Sequence, residues 1–100
     1  MPPKTPPKPP AGLSKPSAAL WRSILRDWAV EDAAALKILE VGLWALDRAE
    51  KCRAAIDVDG ETVKDRFGQK KVHPLLSAER DSRAAFLASL RQLHLDLSAD

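Results

Sequence analysis

The sequence predicts a mainly α-helical fold in which three helices form one small subunit, with a short hairpin or ordered loop between the second and third. Apolar residues recur at helical spacing in three segments. Gly60, Gly68 and Pro74 mark the breaks between them. The first 16 residues hold seven of the eight prolines. We therefore expect a disordered proline-rich tail over residues 1–13, a helical domain over 14–96 and a short end at 97–100.

The tail alternates prolines with lysines and cannot form a regular ladder of backbone hydrogen bonds, because proline has no N–H. It is expected to be mobile and partly extended. Three interpretations stay open: a plain solubilising tail, a PxxP ligand for a proline-binding groove, and weak phosphate contacts through its lysines.

The first helix is expected to begin at a cap formed by Ser14 or Ser17 and to run to about Trp28. One face carries an apolar stripe and the other is basic. The stripe consists of Leu20, Trp21, Ile24, Leu25 and Trp28, and the basic face of Lys15, Arg22 and Arg26.

The second helix is expected to begin near Glu31 or Asp32 and to continue to about Asp57. Two apolar seams make its buried arc wider than one neighbouring helix can cover. Trp44 lies on a charged face beside Asp47, outside both seams, so it requires a partner. That partner is either the tail or third helix of the same chain, or a second subunit.

Residues 62–72 are expected to form the hairpin or ordered loop, with its turn around Phe67 and Gly68. The third helix then runs from Pro74 to about Leu93, and His73 takes its N-cap position or packs on Phe67. Small residues on this helix permit close helix approach. They are Ala78, Ser82, Ala85 and Ser89, and with Trp44 and Leu43 we predict Ala78 and Ser82 to contact a second copy.

Most enzyme and metal-site classes lack their residues in this chain. The sequence has no glycine-rich phosphate loop and no nucleophile elbow, so we expect no catalytic residues, cofactor or small-molecule substrate. A single cysteine and two histidines leave no zinc ligand set, and a DVDG segment lacks the glutamate of a calcium loop. No apolar run is long enough to span a bilayer, so we expect no membrane contact and a cytoplasmic location.

Basic residues cluster near the predicted turn, although the formal net charge is only +2. The predicted DNA-binding residues are Lys64, Arg66, Lys70, Lys71, Arg80 and Arg83, all expected to reach phosphates from one side, with Lys15, Arg22 and Arg26 as a further set. A salt-bridged solvent face is the alternative, because acidic residues interrupt the cluster. A helix-turn-helix is disfavoured, because Glu31 and Asp32 would lead its recognition helix.

The segments LSKPSAALWRSI, DAAALKILEVGLWALDRAE and DGETVKDRFGQKKVHPLLSAERDSRAAFLASLRQLHLD resemble phage terminase small subunits of the P-twenty-seven type over about residues 13–96. The most specific part combines Gly60, Thr62, Val63, Asp65 and Gly68 with His73-Pro74. The resemblance implies a non-enzymatic ring-forming homo-oligomer. Such a protein recognises the packaging site on double-stranded viral DNA and regulates the large ATPase and nuclease subunit in the host cytoplasm.

Two other classes of function stay open on sequence grounds. One is a small helical regulator or adaptor that binds proteins and uses its basic residues for solubility. The other is a small enzyme with a site shared between subunits. Solution mass and DNA retention separate the first from the terminase interpretation.

Overall fold

The structure of the chain is a computed structural model that describes residues 6–95. It contains helices α1 (Lys15–Asp27), α2 (Ala33–Asp59) and α3 (Leu75–Gln92), with strands β1 (Thr62–Lys64) and β2 (Lys70–Val72) between α2 and α3. The predicted helical fold is confirmed for these residues, and the segment between α2 and α3 is an antiparallel hairpin. Predictions for residues 1–5 and 96–100 lie outside the described residues.

The helix ends follow from local capping chemistry. The Ser14 hydroxyl accepts from the Ser17 N–H at 3.2 Å, and the Asp32 carboxylate accepts from the N–H groups of Ala34 and Ala35. These bonds satisfy backbone donors that have no partner within the helix. At the other end of α2, Gly60 has φ +86°, a conformation that disfavours a side chain. The starts of α1 and α2 and the end of α2 therefore each have a local cause.

The core lies where α1 and α3 pack on α2, around Trp21, Ile24, Leu39 and Leu43. Helices α2 and α3 approach closely at Gly42, where a Cβ would lie 2.6 Å from the Cβ of Ser89. The small-residue seam of α3 thus serves contact within the chain at Ser82 and Ser89, which are both buried. The absence of a side chain at Gly42 sets this helix spacing.

Residues 7–13, which precede α1, contact the helices. The indole Nε1–H of Trp21 donates to the carbonyl of Pro7 at 2.9 Å, and Gly12 lies against the ring of Trp44. Leu13 packs against the core. Proline loses little conformational freedom on ordering, so one hydrogen bond and apolar contact are enough to seat residues 7–13. Residues 7–13 therefore lie against the helices, and the disorder of residues 1–13 stays a prediction.

Asp47 is buried beneath the start of α1, although the sequence places it on a charged face. Its carboxylate accepts from the Ser14 N–H at 2.8 Å, from the Ser14 hydroxyl at 2.7 Å and from the Ser17 hydroxyl. Burial alone raises the pKa of the Asp47 carboxyl, but these bonds and the charge of Lys51 outweigh it and hold the pKa below its usual value. The N-terminus of α1 is therefore fastened to the middle of α2.

Candidate nucleic-acid interface

The hairpin is a short basic ribbon, here called the ribbon (residues 62–72). Its strands pair Thr62 with Val72, Val63 with Lys71 and Lys64 with Lys70. The five-residue loop is closed by the Asp65 carboxylate, which accepts from the N–H groups of Phe67 at 2.8 Å and Gln69 at 3.0 Å. Asp65, which is the one carboxylate within the ribbon, thus organises the turn.

We expect Asp65→Ala to disorder the loop, because two backbone N–H groups lose their acceptor. Amide hydrogen exchange at Phe67 and Gln69 should accelerate about tenfold, which corresponds to roughly 1.4 kcal/mol of local stability. Exchange in α2 and α3 should stay unchanged, which provides the internal control. Unchanged exchange at both loop amides would contradict this role for Asp65.

His73 closes the base of the ribbon. Its ring is 5% exposed, its Nδ1 accepts from the Leu75 N–H at 3.1 Å, and its Nε2 lies 2.9 Å from an Asp59 carboxylate oxygen. Because Nδ1 accepts a hydrogen bond, the ring hydrogen lies on Nε2, which donates to Asp59. The backbone N–H of His73 also donates to the Glu61 carbonyl. His73 thus fixes the start of α3, and Pro74 rather than His73 is its N-cap residue.

The cations of the ribbon face solvent on both sides. Lys64 and Lys70 are directly opposite each other and share one face, whereas Lys71 points to the other face because side chains alternate along a strand. The prediction that all these groups reach phosphates from one side is therefore wrong for Lys71. Within residues 6–95, the three lysines and Arg66 make no ion pair within 4 Å.

The two arginines of α3 differ from the ribbon cations. Arg83 binds Glu79 and Glu50, each at 3.0 Å, and the hydrogen bonds that its guanidinium donates to Glu79 and then to Glu50 raise its pKa. Glu79 is also bound by Arg53 at 3.3 Å. The predicted alternative of a salt-bridged face is therefore observed at Arg83, and its DNA assignment stays a prediction. Arg80 is exposed and lies 3.6 Å from Asp81.

The basic face of α1 is a separate surface. Lys15 and Arg22 are exposed, and Arg26 pairs with Asp27 at 3.1 Å. Asp47, to which the start of α1 is fastened, precedes the end of α2 by 12 residues, or about 18 Å along the helix axis. The structure therefore does not bring the α1 cations together with the ribbon.

The residues predicted to contact a second copy fall into two groups. Leu43 has no exposed surface and Ser82 is 8% exposed, so both pack inside the chain, which corrects their assignment to an interface. Trp44 is 40% exposed and lines a shallow groove of about 560 Å³ together with Ala78. The tail covers one edge of the Trp44 ring through Gly12, so the open part of the ring faces this groove.

Two contacts of the structure had only an indirect signal in the sequence. The serines that bind Asp47 are visible only as possible helix caps, and the loop role of Asp65 is visible only as an aspartate before Gly68. Within the described part of the chain, no three His, Cys, Asp or Glu side chains group as metal ligands. Nor does any helix among residues 6–95 have the length and apolar character to cross a membrane.

No family model, curated protein or solved structure matches this chain.

Proposed function

We propose that the chain is a non-catalytic DNA-binding subunit of the terminase small subunit type. It assembles as a homo-oligomeric ring in the cytoplasm of a bacterial host, binds double-stranded viral DNA at the packaging site and regulates the large ATPase and nuclease subunit. One observation carries the DNA contact: Lys64, Lys70 and Lys71 stand on a projecting ribbon without ion pairs among the described residues, while nearby Arg53 and Arg83 are paired.

The placement of these lysines suits a duplex. The major groove of B-DNA is about 12 Å wide and admits a two-stranded ribbon. Lys64 and Lys70 on one face and Lys71 on the other then approach the phosphates of the two groove walls. The repulsion between directly opposed Lys64 and Lys70 is relieved when phosphates neutralise them. Repetition of the ribbon around an oligomer multiplies a weak contact.

The test is charge reversal at the ribbon. Lys70→Glu combined with Lys71→Glu should weaken duplex binding by about tenfold or more and should lower the magnitude of the salt slope of log K by about 2, since two phosphate contacts are lost. A gel shift titrated with salt measures both quantities. Far-UV circular dichroism should be unchanged, because both side chains are exposed.

Arg22→Glu combined with Arg26→Glu is the matched control, because it changes the net charge equally on the separate surface of α1. If that variant loses binding and the ribbon variant does not, the DNA contact lies on α1. If the unmodified chain retains no duplex at low salt, the DNA proposal falls. The exposed apolar surface at Trp44 and Phe67 then favours the adaptor interpretation.

A further inference from the structure

The tip of the ribbon presents an aromatic side chain to solvent. Phe67 is 75% exposed, and the guanidinium of Arg66 lies 5.0 Å from the centroid of its ring. The carboxylate of Asp65 holds the Phe67 backbone in place, so the ring is displayed by an ordered turn. A displayed phenyl ring leaves a large apolar area in water, and covering it is favourable. The tip therefore has the form of an anchor for a concave surface.

A concave surface without an occupant lies between α2 and α3 of the same chain. Trp44 forms one wall, Ala78 and Ala85 contribute small side chains, and Asp81 and Arg48 supply charge. The volume of about 560 Å³ leaves ample room for a phenyl ring. Because Trp44 is 40% exposed, its ring can stack on an incoming aromatic residue.

We propose that Phe67 of one copy occupies the groove at Trp44 and Ala78 of the next copy. This inference rests on the proposed ring assembly and specifies which two surfaces meet between neighbouring copies. Phe67 lies in the loop beyond the C-terminal end of α2, whereas Trp44 lies in the first half of that helix. The proposed contact therefore joins two different surfaces of the chain. Such head-to-tail contacts generate rings when the rotation between copies closes.

Charge complementarity supports a second copy as the occupant. Arg66 accompanies Phe67 and carries no ion pair among residues 6–95. Asp81 at the groove lies 3.6 Å from Arg80 in an exposed pair, and its side chain is still 76% exposed. Docking brings the two opposite charges to one rim, where exposed groups fix orientation more than affinity. Only the tip enters the groove, so the lysines of both strands remain outside and stay available to phosphate. Arg66 is thereby reassigned from DNA to the contact between copies.

Cysteine pairing between separately purified variants tests this contact. Phe67→Cys mixed with Ala78→Cys should form a disulfide-linked dimer under mild oxidation, because a disulfide requires Cα atoms within about 7 Å. Phe67→Cys mixed with Leu87→Cys is the matched control, since Leu87 is exposed on α3 but does not line the groove. The native Cys52 is buried, so its thiol is shielded.

We expect roughly tenfold more mixed dimer from the Ala78 pair than from the control, and each variant alone should give little, since only the first pair meets the distance requirement. Phe67→Ala should also lower the solution mass by light scattering without loss of helical circular dichroism. Equal crosslinking in both mixtures with an unchanged mass overturns the contact, and the ring proposal survives if the unmodified chain is oligomeric. A monomeric unmodified chain overturns both, whereas the ribbon's DNA binding is judged by the lysine variants alone.

Discussion

Replacing Gly42 by valine is expected to lower the free energy of unfolding by about 3 kcal/mol, at the upper end of the range for overpacked cores. A Cβ at this position would lie 2.6 Å from the Ser89 Cβ and 2.8 Å from its Oγ. The Ser89 Cβ is fixed by the backbone of α3, so no rotamer change removes the collision and the helices must separate. Urea unfolding followed by far-UV circular dichroism measures the loss.

The cause can be isolated by a compensating change. Gly42→Ala alone should already destabilise the chain, since its Cβ makes the same collision. Adding Ser89→Gly removes the opposing Cβ and should recover part of the loss, less the cost of about 1 kcal/mol for glycine in a helix. If Gly42→Val unfolds at the same urea concentration as the unmodified chain, α2 and α3 do not approach as closely as described.

Replacing Asp47 by alanine is expected to cost about 2–3 kcal/mol. The change leaves the buried Ser17 hydroxyl without its acceptor, together with the hydroxyl and N–H of Ser14 at the edge of the site. Urea unfolding at neutral pH measures the cost. Ser23→Ala on the same helix is the control, because the Ser23 hydroxyl accepts its side-chain hydrogen bond within residues 6–95 from the exposed Arg26. Equal stability of the Asp47 and Ser23 variants would contradict a fastening role for Asp47.

Acid should remove the same stabilisation. The folded pKa of Asp47 lies below its unfolded value, so its contribution is fully present above the unfolded pKa of about 3.9 and is lost as the pH falls through the folded pKa. Unfolding measured from pH 6 downward should therefore show a steeper acid loss in the unmodified chain than in Asp47→Asn. Parallel curves below pH 4 would rule out this linkage.

The helix boundaries could be predicted because their causes are local. Ser14, Asp32 and Gly60 act on backbone groups within a few residues, and each choice is visible in a short stretch of sequence. The break at Gly68 is equally local, since its φ of +80° belongs to the turn itself. Three-helix order with an intervening hairpin follows from these breaks.

The contacts that could not be predicted join residues distant in the chain. Asp47 resembles a solvent-facing carboxylate until Ser14, 33 residues earlier, supplies its donors. In the same way, a proline-rich segment appears free until the indole of Trp21 provides a donor for the carbonyl of Pro7. Sequence periodicity describes faces of one helix, and it does not specify which distant group meets a face.

The candidate interface shows the same division. The sequence shows that basic side chains gather around the turn. It does not show which face each side chain occupies or which of them form ion pairs. Pairing register places Lys71 on the opposite face from Lys70, and helix packing pairs Arg83 with Glu50. The first depends on alternation along β2, and the second depends on the packing of α3 against α2. The basic residues in the sequence cluster therefore outnumber those that have no ion pair among the described residues.

Because His73 closes the base of the ribbon, the ribbon can vary independently of the helices. Asp59 and Glu61 on one side are tied to His73 on the other, so both ends of the ribbon meet at a fixed base. Insertions beyond that base add little closure entropy and leave the packing of α2 on α3 undisturbed. Residues at the tip, and with them the binding preference, can therefore change while the packing of the helices stays the same.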